Sequence, residues 1–197
     1  MNLPNKLTLS RLVLTAAFLG VMFSRVPFRE TIALMLFIAG GVSYLLDGMM
    51  ARRHKLITNF GILMDPLADK IMVCSAFIVF VGLNWIPAWM VVLIVARELA
   101  ITGLRLLAAS RNVVLAAEGY GKHKTISQIV AIIAILILHG YGDWGEVGAA
   151  VFGFQVLGHT PWVEKFTELA KWVAVALTVV SGWLYLWRNR GIYLQDL

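Results

Sequence analysis

Three aspartates lie in a largely apolar part of the chain, and their spacing is suited to a metal site. Asp65 and Asp69 are four residues apart, so on a helix they would lie about 40° apart on one face. Gly61 lies one further turn back, where the missing side chain leaves room for a ligand. Asp47, from the preceding apolar segment, can face the same stripe. Three ionised carboxylates would repel one another in a low dielectric, and a hard divalent cation such as Mg²⁺ or Mn²⁺ removes this conflict.

A simpler alternative is that Asp65 only caps a helix, because Pro66 follows it and proline suits the first position of a helix. Asp69 weighs against this, since it would lie inside the same helix, and carboxylates within membrane segments are by default functional. Arg53 and Lys55 fit ordinary cationic anchors at a membrane surface.

The composition indicates an integral membrane protein. Hydrophobic residues make up 60% of the chain and charged residues 14%, whereas soluble domains are about half apolar and about a quarter charged. The apolar runs have a helical or continuous period, without the alternation that a β-barrel strand needs. We therefore predict an all-α polytopic fold in a single domain, residues 1–197. The six predicted transmembrane helices are 7–25, 31–50, 60–82, 87–109, 125–140 and 166–187.

The placement of basic residues predicts the topology. Six crossings put both termini on one side, and that side collects most of the lysines and arginines. The positive-inside rule then predicts that both termini are cytoplasmic, in a multi-pass protein of the cell inner (cytoplasmic) membrane. The net charge of +6 is explained by this placement and not by nucleic-acid binding.

Three shorter features complete this description. The N-terminal segment has no small-residue cleavage site after its apolar run, so we expect the first helix to be retained. The Gly-rich segment 141–165 is predicted to be an interfacial loop or a short re-entrant helix. Cys74 is the only cysteine, which excludes a disulfide framework.

The polar residues also match a known pattern. The run Asp47-Gly48-x-x-Ala51-Arg52, then eight residues, then Gly61-x-x-x-Asp65-x-x-x-Asp69 resembles the signature of the CDP-alcohol phosphotransferases. The segments NLPNKLTLSR, LITNFGILMDPLADK, ARELAITGLR and GKHKT resemble the bacterial phosphatidylglycerophosphate synthase branch of that family. This resemblance implies six helices around a cytoplasm-facing polar cavity with two divalent metals, often in a homodimer among membrane lipids. It also implies transfer of a phosphatidyl group from CDP-diacylglycerol to sn-glycerol 3-phosphate, releasing CMP.

The resemblance implies roles for individual residues. Asp69 would ligate metal and also act as the base that deprotonates the acceptor hydroxyl, although a metal-bound carboxylate is a weak base. Asn5 and Thr8 would reach the nucleotide, or else would simply be helix-start residues. The implied metal ligands are Asp47, Asp65 and Asp69, and the implied CDP-lipid-binding residues are Asn5, Thr8, Gly48, Ala51, Arg52 and Gly61.

The acceptor is itself a phosphate monoester and needs a cationic pocket. Arg97 and Arg105 are eight residues apart, about 80° around one helix, and arginine is well suited to bidentate phosphate contact. Lys122 and Lys124 open the next helix, and the resemblance places all four residues in the cavity. Alternatively, Arg97 and Glu98 belong to a purely structural ion network.

Tyr44 departs from the family pattern, which has an aspartate three residues before the Asp-Gly pair. A tyrosine hydroxyl has a pKa near ~10, is neutral at pH 7 and is a poor ligand for a hard cation. Either this change weakens or abolishes catalysis, or water completes the metal coordination. Three further functions stay open: the use of serine, inositol phosphate or a second phosphatidylglycerol as acceptor, transport through intramembrane acids, and CDP-lipid binding without chemistry.

Overall fold

The structure is a computed structural model. It describes the backbone of residues 3–54, 59–111, 120–155 and 160–194, and the side chains of 9–42, 70–111, 123–155 and 160–193. Within these ranges the chain is helical, apart from turns and one isolated bridge between Gln155 and Pro161. The helices are α1 (Leu3–Phe23), α2 (Arg29–His54), α3 (Asn59–Gly82), α4 (Ala88–Ser110), α5 (Tyr120–Gly140), α6 (Gly145–Phe152), α7 (Trp162–Arg188) and α8 (Arg190–Leu194).

The all-α prediction is confirmed within the described residues, and each predicted crossing falls on one long helix. Two helical stretches there are long and apolar enough to cross a membrane, namely 123–152 and Trp162–Arg188. Leu9–Phe23 and Lys70–Gly82 are shorter apolar helices. The described residues therefore support a membrane protein, while the full count of crossings stays a prediction.

Helix α3 decides between the two interpretations of Asp65. The helix begins at Asn59 and continues through Pro66 to Gly82. Asp65 therefore lies in the helix interior, and the alternative that it is an N-cap is wrong. At the start of α4, by contrast, Pro87 is the capping residue, in extended conformation. The missing N–H of Pro87 does no harm there.

The apolar core lies between α1, α2, α3 and α5, with contributions from α4 and α7. Phe77 and Phe80 of α3 are fully buried and meet edge to face, with ring centroids 6.5 Å apart. The Phe18 ring of α1 lies 6.2 Å from that of Phe37 on α2. Aromatic contacts of this kind add to the area that the rings bury, so they fix how the helices pack.

Side-chain contacts show which helix ends meet. At one end, the ring of Trp85, in the α3–α4 turn, stacks on His139 at the end of α5, with centroids 3.9 Å apart. The backbone oxygen of Trp85 accepts a hydrogen bond from Lys171 Nζ, in the first turns of α7, at 3.2 Å. At the other end, Arg111 Nη1, just after α4, donates to the backbone oxygen of Ile192 in α8 at 2.7 Å. The bundle therefore has two distinct poles.

The segment 141–165 contains a 3₁₀ turn (Tyr141–Trp144), α6 and the start of α7. Trp144 Nε1 donates to Thr31 Oγ1 at 2.7 Å, which holds the 3₁₀ turn against α2. A Cβ on Gly148 would lie 2.2 Å from the backbone oxygen of Tyr141, so only glycine permits this approach. Of the two predicted forms for this segment, the structure has the short helix.

Candidate functional site

The predicted metal and nucleotide residues lie on α1, α2 and α3, near the pole where α4 ends. The backbone places Asp65 and Asp69 one turn apart within α3, and Asp47 near the end of α2. The helical spacing that the sequence argument needed is therefore present. The side chains of these residues lie outside the described residues, as do those of Asn5, Thr8, Tyr44, Gly48, Ala51, Arg52, Gly61 and Lys122. Their roles remain predictions.

A buried ionic cluster links side chains of α4 and α5. The carboxylate of Glu98 belongs to a residue that is only 5% exposed. Its Oε1 accepts a hydrogen bond from Arg97 Nη1 at 3.3 Å and another from Lys124 Nζ. Two of the four residues predicted to bind phosphate, Arg97 and Lys124, are thus brought together around one carboxylate. This geometry fits both a phosphate site and the structural network that we gave as its alternative.

Arg97 also contacts α7. Its Nη2 donates to Ser181 Oγ at 3.4 Å, and its stem packs against Gly182. A Cβ on Gly182 would lie 2.6 Å from Arg97 Cγ, so the glycine makes room for the arginine stem. Arg97 Nε has no hydrogen-bond partner among the described residues. The contacts to Glu98, Ser181 and Gly182 hold the Arg97 guanidinium between α4 and α7.

Arg105 lies two turns further along α4 and is exposed. It takes part in none of the hydrogen bonds described for Arg97, Glu98 and Lys124. The structure therefore brings Arg97 and Lys124 together, and it leaves Arg105 at the surface, nearer the pole where α4 ends.

The sequence analysis missed a second polar pair beside this cluster. Lys70 Nζ donates to Thr102 Oγ1, which links α3 to α4. Thr102 Oγ1 in turn donates to the backbone oxygen of Glu98 at 2.7 Å. Lys70 directly follows Asp69 in the sequence, and this adjacency was the available signal.

The charges of this region do not balance among the described side chains. Arg97 and Lys124 pair with one carboxylate, Glu98, and Lys70 binds the hydroxyl of Thr102 beside them. A dianionic phosphate monoester would compensate the excess. Phosphate binding by these residues remains a prediction.

The described residues include no group of three or more histidine, cysteine, aspartate or glutamate side chains that could hold a metal. The donor set on α2 and α3 nevertheless suits a hard divalent ion, because it consists of carboxylates. A cavity of about 660 Å³ lies at the opposite pole, lined in part by Trp85, His139 and Lys171. The predicted cytoplasm-facing cavity would be lined by Arg97, Arg105 and Lys124 together with side chains outside the described residues.

Comparison with known proteins places these residues in a family. Residues 1–180 match the family model of the CDP-alcohol phosphatidyltransferases. The chain belongs to the CDP-alcohol phosphatidyltransferase family. This agrees with the resemblance drawn from the aspartate pattern.

Individual relatives narrow the likeness within the CDP-alcohol phosphatidyltransferases. The chain is 40% identical to a CDP-diacylglycerol–glycerol-3-phosphate 3-phosphatidyltransferase of Bacillus subtilis (strain 168), covering 95% of each chain. It is 31% identical to the enzyme of the same name from Cereibacter sphaeroides, over 99% of this chain and 98% of the relative. It is 40% identical to a probable phosphatidylglycerophosphate synthase of Mycobacterium tuberculosis (strain CDC 1551 / Oshkosh), over 71% of this chain and 68% of the relative.

Proposed function

We propose that this chain transfers a phosphatidyl group from CDP-diacylglycerol to sn-glycerol 3-phosphate, giving phosphatidylglycerophosphate and CMP. The observation that carries the proposal is the match to relatives of that name over nearly the whole chain. The cationic cluster around Glu98 supports it, because this acceptor differs from an uncharged alcohol in carrying a phosphate.

The acceptor phosphate would bind through Arg97 and Lys124. Arg105 and Lys122 would contact it from nearer the pole where α4 ends and α5 begins. Glu98 fixes both cations of the buried pair in place before substrate arrives. Prior placement matters because most of the catalytic gain in phosphoryl transfer comes from alignment and electrostatics. The acceptor phosphate would thus hold the glycerol hydroxyl toward the CDP-lipid.

The CDP-lipid would bind at the ends of α2 and α3. Gly48, Ala51 and Gly61 would leave space for the cytidine, and Arg52 would contact its phosphates. Asn5 and Thr8 would reach the same nucleotide from α1. When bound, Mg²⁺ or Mn²⁺ supplies charge neutralisation on the pyrophosphate and on the departing CMP. The residues that would hold the two ions are Asp47, Asp65 and Asp69, and Asp69 would also take the hydroxyl proton.

We further propose that all six long helices cross the inner membrane, with both termini and the polar cavity on the cytoplasmic side. The excess of lysine and arginine on that side supports this orientation. The homodimer implied by the family resemblance remains a prediction.

An acceptor panel tests the function. Purified protein in mixed micelles with labelled CDP-diacylglycerol and Mg²⁺ is given sn-glycerol 3-phosphate, serine, inositol phosphate or phosphatidylglycerol, one at a time. We expect CMP release that depends on sn-glycerol 3-phosphate and exceeds release with the other acceptors. Faster release with another acceptor would refute the substrate assignment. Solute flux in liposomes that lack CDP-lipid, without CMP release in the panel, would favour a transporter.

A further inference from the structure

We infer that Lys70 and Thr102 form a positioning link that sets the helix carrying Asp65 and Asp69 against the helix carrying Arg97. The inference rests on the proposed function, because it concerns how the donor and acceptor sites are aligned. Neither Lys70 nor Thr102 needs to touch substrate.

The Thr102 hydroxyl both donates and accepts a hydrogen bond. The hydroxyl proton of Thr102 is used by the backbone oxygen of Glu98, at 2.7 Å. Its oxygen lone pairs are then free to accept from Lys70 Nζ, which is the bond observed. The ammonium of Lys70 is thereby tied to α4, the helix that carries Arg97.

The link lies far from the covalent connection between the two helices. The α3–α4 turn joins Gly82 to Ala88. Lys70 is twelve residues before Gly82, about 18 Å along α3, and Thr102 is fourteen residues after Ala88, about 21 Å along α4. The turn therefore fixes the helix pair at one end, and the Lys70–Thr102 bond fixes it near the other.

Helices α3 and α4 each pack mainly on a different helix. Helix α4 packs more extensively on α7 than on α3, and α3 packs chiefly on α1. The two helices pack on each other, but each has a more extensive contact with another helix. Asp69 is the residue before Lys70, and Arg97 lies five residues from Thr102, about 7.5 Å along α4. A shift between α3 and α4 would therefore change the separation of the two substrate sites.

Substitution of Thr102 separates this role from direct substrate binding. Thr102→Val keeps the shape of the Thr102 side chain and leaves the charge of Lys70 in place. It removes the hydroxyl oxygen that accepts the hydrogen bond from Lys70. Ser110→Ala is the matched control, because Ser110 Oγ also donates to a carbonyl of its own helix, at 2.7 Å, and is exposed. Lys70→Met and the double variant Lys70→Met/Thr102→Val complete a double-mutant cycle.

We expect Thr102→Val to lower kcat about tenfold, because a misplacement of about 1 Å can cost up to about a hundredfold. The KM for each substrate should stay within about twofold. Lys70→Met should lower kcat at least as much as Thr102→Val. The kcat of the double variant should lie within about twofold of that of Lys70→Met. Ser110→Ala should have the kcat of the unmodified protein.

Three results would overturn the inference. Lower thermal stability of Thr102→Val with an unchanged kcat per folded molecule would make the bond merely structural. A raised KM for sn-glycerol 3-phosphate in Lys70→Met, without any effect of Thr102→Val, would make Lys70 a phosphate ligand. Additive losses of kcat would show that the two residues act separately. If the unmodified chain released no CMP, the proposed function would fail and the alignment role with it.

Discussion

Replacing Gly182 by alanine tests whether the placement of Arg97 determines acceptor binding. The new methyl would lie 2.6 Å from Arg97 Cγ, 3.5 Å from Nε and 3.6 Å from Cδ. Carbon atoms in contact normally lie about 3.5–4.0 Å apart, so the arginine stem must move by about 1 Å. Because Cγ is close to the backbone, this movement carries the guanidinium away from Glu98 and Ser181.

The size of the effect follows from the contacts that Arg97 makes. A hydrogen bond to a charged group contributes about 1.5–3 kcal/mol, and each 1.4 kcal/mol corresponds to about tenfold in binding. We expect Gly182→Ala to raise the KM for sn-glycerol 3-phosphate about tenfold or more. The KM for CDP-diacylglycerol should stay within about twofold, since its predicted site lies on other helices. Initial rates of CMP release at varied concentrations of each substrate measure both values.

Gly103→Ala is the control for this change. It is also a glycine-to-alanine substitution within a long helix, but a Cβ there would meet no atom within 4 Å. Its activity should be that of the unmodified protein, with stability raised by about 0.5–1 kcal/mol. An unchanged KM in Gly182→Ala, or an equal rise in Gly103→Ala, would refute the role given to Arg97.

Three further predictions concern Glu98, Phe77 and Tyr44. Glu98→Gln should raise the KM for sn-glycerol 3-phosphate about tenfold, because Glu98 holds Arg97 and Lys124 in place. Simple electrostatics predicts the opposite, a lower KM once a negative charge is removed. A fall in KM would therefore contradict the positioning role of Glu98. Phe77→Ala should lower the free energy of unfolding by about 3–5 kcal/mol because Phe77 is fully buried, whereas the exposed neighbour Ile78→Ala should have a much smaller effect in the same detergent melt. Tyr44→Asp should raise turnover at saturating Mg²⁺ by supplying a fourth carboxylate. Equal turnover in this variant and the unmodified protein would show that Tyr44 does not weaken catalysis.

The helices could be predicted from the sequence because apolar runs of about twenty residues have few other structures available. Their ends were harder to place. Helix α5 begins at Tyr120, five residues before the predicted start, because the polar residues around Lys122 and Lys124 are also helical. Hydropathy detects only the apolar part of a helix, so it does not include a polar first turn such as that of α5. The prediction for 141–165 stayed open for a similar reason, since glycine-rich segments fit both loops and short helices.

The acceptor cluster was predictable in part. Arg97 and Lys124 could be chosen from residue type and resemblance, since arginine and lysine are the residues that bind phosphate. Their meeting at Glu98 depends on how α4 and α5 both pack on α7, which one sequence does not specify. Lys70 and Thr102 were missed because each fits an ordinary role alone, and only their contact across two helices gives them significance.

The central claim is tested most directly by the lipid product. Purified chain in CDP-diacylglycerol micelles with Mg²⁺ and sn-glycerol 3-phosphate is analysed for both products by mass spectrometry, beside the Tyr44→Asp protein. The account predicts phosphatidylglycerophosphate and CMP in equal amounts, and neither product when sn-glycerol 3-phosphate is left out. The absence of phosphatidylglycerophosphate with the unmodified chain would contradict it.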